Sequence, residues 1–300
     1  MKVFAFVAAL IPGVAAADCA VERDLVFDLM ERNGLTLSDR GSFGQIASKC
    51  RIRGMQISAD NVDIEVGLME WRLKGLDLVA SGRGQVSVDG RVGGLRIVPT
   101  AEDPWIGYML SEQTRRNLID AEVQAVWSLD DGALELDALQ VDFPGDNELS
   151  LGFTIAGLTP RAIAGQIGDL AQISVESLGA TVENNGFADG LILGALVGRM
   201  AEVPGSPETV IDGTKTELAR AVSALPDTLF MGNSKRAVLS LIDDAPVPWG
   251  TGEVSLVAEE GLPVSRFLVL GGGPVTPEAI GRALEGARIF VNYRPSATAR

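Results

Sequence analysis

The 300-residue chain carries 40 acidic and 25 basic side chains, no histidine and two cysteines. The lack of histidine excludes Ser-His-Asp and Cys-His nucleophile systems and every histidine metal site. A net charge of −15 argues against nucleic-acid binding, which needs lysine and arginine to displace phosphate counterions. The hydrophobic content of 46% is sufficient for a large core.

The N-terminus has the pattern of a secretory signal peptide. Lys2 supplies a positive charge, residues 3–11 form an apolar run, and Ala15-Ala16-Ala17 fits an A-x-A cleavage site. The run is about half the roughly 20 residues that a membrane-spanning helix needs. We therefore expect cleavage after Ala17, which removes residues 1–17, and a periplasmic mature chain without a transmembrane segment.

Export makes a disulfide between Cys19 and Cys50 the natural expectation, because an oxidising compartment does not leave two thiols free. The redox alternative would favour a C-x-x-C motif, which the sequence lacks. Residues 18–49 should then hold one amphipathic helix, with Asp18 as a possible cap. Its apolar residues at helical spacing are Val21, Leu25, Val26, Leu29 and Met30.

Residues 50–183 alternate apolar and polar side chains with period two, which is typical of strands buried on one face. Because all-parallel sheets show continuous apolar runs instead, this pattern predicts a mostly antiparallel sheet. Crossover helices are expected at 105–118 and 160–170. The segment 76–95 also aligns with 139–158, which predicts a duplicated unit; the identical pairs are Leu76/Leu139, Gly82/Gly145, Ser87/Ser150, Gly94/Gly157 and Leu95/Leu158.

A shorter motif, apolar-x-x-apolar-x-apolar, recurs along this region. It occurs at Ile52-Met55-Ile57, Leu73-Leu76-Leu78, Leu136-Leu139-Val141 and Val175-Leu178-Ala180. Plain alternation cannot place residues three apart on one face, so the motif predicts a β-bulge in each strand. The expected fold is α+β: a long, curved, mostly antiparallel sheet of duplicated bulged units, with helices packed across it and a smaller C-terminal α/β part.

The segment 184–293 changes character. Helices are expected at 187–203 and 207–225, then short strands at 237–241, 254–258, 267–269 and 289–293, with a helix at 277–285; residues 294–300 should form a disordered tail. Gly190, Gly194 and Gly198 form a stripe along the first helix. This stripe indicates either close docking across the sheet or a mobile helix that gates a groove.

The motifs at 73–78 and 136–141, together with the Gly-Leu pairs at 94–95 and 157–158, resemble AsmA-like and related uncharacterised envelope proteins of Gram-negative bacteria. The runs APVPWG at 245–250 and PEAIGRAL at 277–284 add to this resemblance. The chain is much shorter than the large family members and lacks their N-terminal membrane helix. The resemblance implies a periplasmic β-rich protein that works in envelope or outer-membrane homeostasis.

Carboxylates are the only abundant catalytic groups, and those at 130–146 fit turns and solvent-facing strand positions better than a glycosidase pair. We therefore expect a non-enzymatic protein with no cofactor and no metal site, which binds a lipid acyl chain or an apolar peptide. The expected wall residues are Leu76, Leu78, Leu139, Val141, Leu151 and Phe153. The alternative is an assembly factor that contacts an envelope protein through a free strand edge at 52–57 or through Trp249, and a carboxylate hydrolase is third. Peripheral membrane contact is compatible with the first two.

Overall fold

The computed structural model describes residues 18–59, 62–101, 103–163, 172–186, 205–268 and 276–296. The expected signal peptide at 1–17, the helix expected at 187–203 with Gly190, Gly194 and Gly198, and residues 297–300 of the expected tail lie outside this part. None of the helices in the described ranges has the length and apolar composition required to span a bilayer.

The described residues form eleven strands and seven α-helices, and every strand pair with a defined register is antiparallel. The expectation of an α+β protein with a large antiparallel sheet is therefore confirmed. The chain divides into two compact units, one with residues 1–144 and 157–169 and the other with residues 145–156 and 170–300.

In the first unit the strand order is β1-β3-β4-β5-β6-β7, and β2 also pairs with β3. Its elements are α1 (Cys19–Arg32), β1 (Thr36–Asp39), β2 (Ser42–Ile46), β3 (Lys49–Ala59), β4 (Val62–Lys74), a 3-10 turn (Leu76–Ser81), β5 (Gln85–Pro99), α2 (Pro104–Thr114), β6 (Ile119–Ser128), β7 (Leu134–Phe143) and α3 (Pro160–Ile163).

In the second unit the strand order is β8-β9-β10-β11. Its elements are β8 (Asn147–Ala156), β9 (Ser174–Asn184), α4 (Pro207–Ala224), a 3-10 turn (Asp227–Leu229), α5 (Ser234–Asp244), β10 (Gly250–Pro263), α6 (Ser265–Leu268), α7 (Pro277–Ala283) and β11 (Arg288–Pro295). Helix α4 begins as expected, with Ser206 as cap and Pro207 in the first turn.

The core of the first unit lies between α1 and one face of β3 and β4. Asp18 caps α1 by accepting a hydrogen bond from the Ala20 amide at 2.9 Å. The Cys19–Cys50 disulfide joins the start of the helix to β3, as expected from the sequence. The buried apolar residues of this core are Cys19, Phe27, Cys50, Ile52, Met55, Ile57, Val66 and Trp71. A disulfide in this position is consistent with an oxidising compartment.

The opposite face of the same strands carries paired charges. Arg51, Glu70, Arg91 and Glu122 follow one another across β3, β4, β5 and β6, and neighbouring ion pairs join the first two and the last two. Burial acts to raise the pKa of Asp89, but Lys49 and Arg72 beside it bring that pKa below its usual range. The alternation seen in the sequence therefore gives one apolar and one charged sheet face.

Glycines and bulges carry the parity changes that the apolar motif predicted. In β3, Ile52, Met55 and Ile57 are all buried, and the change of parity falls at Gly54, which has a left-handed φ of 70°. In β7 the pairing with β6 shifts by one residue between Leu136 and Ala138. In β9 the pairing with β8 shifts between Val175 and Ser177. Bulges are therefore present at two of the four expected positions.

Three sequence-based expectations were wrong in their secondary structure. The strand expected to continue through 73–78 ends at Lys74, and Leu76 and Leu78 lie in the following 3-10 turn. The strand expected at 237–241 is helix α5, because Val238, Leu239, Leu241 and Ile242 also fit a helical period. Phe267 lies in the short helix α6 and not in a strand. The C-terminal strands β10 and β11 join the antiparallel sheet of the second unit, so this part is not α/β.

Candidate binding surfaces

The sheet of the second unit has an apolar face built from three cross-strand rows. The rows are Phe153-Leu178-Leu256-Ile289, Leu151-Ala180-Val254-Val291 and Leu149-Val182-Gly252-Tyr293, each running from β8 to β11. Directly paired residues of antiparallel strands share a face, so these side chains form one continuous surface. Two of the expected wall residues, Leu151 and Phe153, lie in it.

Among the described residues, one end of this surface is covered and its middle strands are partly exposed. At the β10–β11 end, Leu256 and Ile289 pack against buried Leu225 and Leu229, which follow α4. Val291 is buried as well, and its amide donates a hydrogen bond of 2.9 Å to the Ser234 hydroxyl at the start of α5. On β9 and β10 the exposed fractions are 39% for Leu178, 40% for Val182 and 39% for Val254, and the β8 residues of the same rows are half-buried.

The first unit has a comparable apolar face, and it carries two further expected wall residues. Leu139 pairs with Val123, and Val141 pairs with Ala121, so all four lie on one face of β6 and β7. All four are half-buried, whereas the β3–β4 end of the same sheet lies under α1. Each unit therefore has an apolar sheet face that the described helices cover over only part of its width.

Leu76 and Leu78 do not lie in these rows. The Leu78 side chain covers the backbone of Gly75 and Gly84, where an added Cβ would come within 3.4 Å and 2.9 Å of it. Both leucines belong to the turn that connects β4 to β5. Their position outside the strand register removes them from the surface that could hold a ligand.

The carboxylates at 130–146 are all exposed in the structure. Glu22 is the one buried carboxyl in the described ranges. Asp130 accepts a hydrogen bond from the Gly84 amide, and Asp131 accepts one from the Ala133 amide, so both serve turns. Hydrogen bonds from Ser128 and from the Ala133 backbone hold the pKa of Asp131 below its usual range. The described residues also contain no group of three carboxylates and cysteines suited to a metal ion.

A depression of about 1010 Å³ in the second unit is lined by side chains of both charges. Arg288 forms an ion pair with Glu259, and Arg266 donates a 2.6 Å hydrogen bond to the Glu285 carbonyl. The backbone amide and the Thr276 hydroxyl at the start of α7 lower the pKa of Glu278. The lowered pKa of Glu278 is accounted for by its place at the start of α7.

Helix α2 exposes its large apolar residues. Trp105 is 78% exposed and Tyr108 is 62% exposed, and Ile106 and Met109 beside them are also exposed. The half-buried side of the helix consists of Gly107, Leu110, Ser111 and Thr114. The helix therefore turns Leu110 with small and polar residues toward its own unit, and its two aromatic residues toward solvent, where an ordinary surface helix places polar side chains.

The two surfaces expected for an assembly factor, the strand edge at 52–57 and Trp249, are less exposed than helix α2. Strand β3 is paired on both sides, by β4 and by β1 and β2, so residues 52–57 form no free edge. Trp249 is half-buried, and its carbonyl accepts hydrogen bonds from the Ser296 amide and the Tyr293 hydroxyl. Trp71 and Trp127 are buried in the core of the first unit.

Comparison with known proteins adds no assignment. No protein-family model matches the chain, and no curated protein matches it. The surfaces of the two units are therefore the basis on which a function can be proposed.

Proposed function

We propose that this chain is an exported, non-enzymatic periplasmic protein of envelope homeostasis that holds a lipid acyl chain or another apolar ligand on its sheet. The observation that carries the proposal is the half-exposed apolar surface formed by Leu178, Val182 and Val254 next to Leu151 and Phe153. Monomeric proteins cover most such surface, so an apolar face that the described residues leave partly exposed is typical of a binding site.

The physical basis of the affinity would be burial of methylene groups without a catalytic or polar anchor. Each methylene removed from water contributes about 0.8 kcal/mol, before the cost of ordering the chain. The neighbouring rows across β8, β9 and β10 offer apolar contacts to part of an acyl chain. The β10–β11 end, packed against Leu225 and Leu229, would set the limit of the site.

The proposal includes curvature of the strands within each unit and an origin by duplication. The register shifts in β7 and β9 support bending, since a bulge increases local twist. The aligned segments 76–95 and 139–158 support duplication because their matched glycines have similar φ angles. These angles are 65° and 76° for Gly82 and Gly145, and 64° and 74° for Gly94 and Gly157.

The double substitution Val182→Thr/Val254→Thr tests the ligand surface. Threonine keeps the shape of valine but adds a hydroxyl that an acyl chain cannot satisfy, so binding of a fluorescent fatty acid should weaken at least about tenfold. Val257→Thr is the matched control, because Val257 is 41% exposed on the same strand but pairs with Ser177 on the opposite face. Equal weakening by the control, or no binding of the probe by the wild-type protein, would contradict the proposal.

A further inference from the structure

The outward side of α2 has the composition of a surface that rests on a lipid bilayer. Trp105 and Tyr108 combine an apolar ring with a polar tip, and such residues concentrate where hydrocarbon meets water. Ile106 and Met109 beside them are also exposed, and Leu118, four residues after the helix, is 51% exposed. The helix has only eleven residues, so it can lie in the interface and cannot cross it.

The helix is held firmly in this orientation. The Asp103 carboxylate accepts hydrogen bonds from the Trp105 and Ile106 amides at 2.8 Å and 3.1 Å, which fixes the first turn. The small residues Gly107 and Ser111 lie on the side that faces the unit and allow close approach to it. The aromatic side chains are therefore presented to solvent by a capped helix and not by a loose loop.

The charges around α2 favour an anionic surface. The chain has a net charge of −15, so most of its surface is repelled by anionic lipid. Near α2, however, Glu112 is paired with Arg115, and Asp103 is engaged as the helix cap. Arg116 forms no ion pair among the described residues. The end of the helix is thus locally positive next to the exposed aromatic side chains.

A shallow depression lies beside this end of the helix. Arg115 and Leu118 border it together with Arg96, and its floor is formed by Gly54, Gly67 and Gly94, where side chains are absent; its volume is about 270 Å³. Arg96 is already held by Glu65 through three contacts of 2.7–3.1 Å. Arg115 is paired with Glu112, so the charge available to an incoming phosphate is that of Arg116.

We infer that α2 seats the first unit on a bilayer that contains anionic phospholipid, with Trp105 and Tyr108 at the boundary between acyl chains and headgroups and Arg116 at the phosphates. This surface is separate from the apolar sheet face of the second unit. It gives the protein a place of contact with the membrane from which an apolar ligand could come.

Trp105 itself reports on the contact. The sequence has four tryptophans, of which Trp71 and Trp127 are buried and Trp249 is half-buried. Vesicles of phosphatidylcholine with about 30% phosphatidylglycerol should therefore shift the emission to the blue. Lipids brominated near the headgroup should quench that emission. No shift and no quenching would overturn the inference.

Substitutions distinguish a lipid contact of α2 from a protein contact. Trp105→Asp should lower vesicle co-sedimentation at least about tenfold. Leu218→Asp, at a residue 49% exposed on α4, should leave it unchanged. Arg116→Glu should weaken binding to the anionic vesicles but not to pure phosphatidylcholine. Equal loss in both aspartate variants would assign α2 to a protein contact instead. A blue shift that depends on protein concentration in the absence of lipid, together with the mass of a dimer, would give the same assignment.

The two proposals can fail independently. Trp105→Asp should leave fatty-acid binding intact, and Val182→Thr/Val254→Thr should leave vesicle binding intact. Loss of both activities in either variant would indicate one shared surface and would contradict the separate role of α2.

Discussion

Replacing Cys19 and Cys50 together by alanine is expected to lower the free energy of unfolding by about 3–4 kcal/mol. The disulfide closes a loop with a sequence separation of 31 residues, and this loop contains α1, β1 and β2. Without it, the unfolded chain regains the entropy of that loop, and α1 loses its covalent link to β3. Both sulfur atoms are buried in the core, so the substitution also removes packing.

Urea unfolding followed by circular dichroism measures this loss. The wild-type protein in excess reductant should unfold at a urea concentration between those of the oxidised wild type and the double variant, because it loses the covalent link but keeps both sulfur atoms in the core. A midpoint equal to that of the oxidised wild type would show that the core between α1 and the sheet holds without the disulfide.

The second large effect is expected at Glu22, which is 3% exposed. Its carboxylate accepts a hydrogen bond of 2.9 Å from the Trp71 indole, and the Cys50 sulfur lies 3.3 Å away. Burial raises the pKa of Glu22 in spite of the opposing effect of the Trp71 hydrogen bond, and the charge of Asp18 raises it further. A buried polar group of this kind is costly unless its partner is retained.

Glu22→Ala should destabilise the protein by about 2–3 kcal/mol, because the buried Trp71 N–H loses its acceptor and a cavity remains. Glu22→Gln keeps an oxygen acceptor for the indole and removes the charge, so its stability near neutral pH should equal or exceed that of the wild type. The pair of variants therefore separates the hydrogen bond from the charge. Equal destabilisation by both would contradict this assignment.

The pH dependence follows from the direction of the shift. A carboxyl whose pKa is higher in the folded than in the unfolded chain binds its proton more tightly in the folded state. Stability from Glu22 is therefore lost as pH rises from the unfolded value of about 4.5 through the folded pKa. The stability of Glu22→Gln minus that of the wild type should grow over this range in urea titrations. A difference independent of pH would show that Glu22 has the same pKa in both states.

The class of fold and the main features of the first unit could be predicted from local sequence patterns. Period-two alternation indicated the antiparallel strands, and the apolar triplet at Ile52, Met55 and Ile57 marked a buried face with a break in parity. The disulfide followed from export and from the presence of only two cysteines. These features depend on a few neighbouring residues or on compartment, so no tertiary information was needed.

The inward position of Glu22 was missed because hydrophobicity alone placed Val21 on the buried side of α1. Val21 is 45% exposed in the structure. Once Cys19 is fixed to β3, helical spacing turns residues 22, 26 and 30 toward the sheet. The inward position of Glu22 could therefore be predicted from the disulfide, provided that the disulfide was given priority over the apolar pattern.

The orientation of helix α2, like that of Glu22, could not be predicted from hydrophobicity alone. Its existence was predictable from the sequence at 105–118, although it ends earlier, at Thr114. The side of the helix that faces solvent was not predictable, because apolar residues are usually assigned to the protein interior. The spacing of Gly107, Ser111 and Thr114 was the available sign that a side of small and polar residues packs against the unit. The helix at 234–244 was misread because short apolar runs fit both periods.

Native mass spectrometry of the purified protein, with organic extraction of the same sample, tests the central claim most directly. We predict adducts whose masses match fatty-acyl lipids, released by extraction and diminished in Val182→Thr/Val254→Thr but not in Val257→Thr. A protein that carries no acyl lipid, and that takes none up when incubated with it, would contradict the proposal that the half-exposed sheet face is a ligand site.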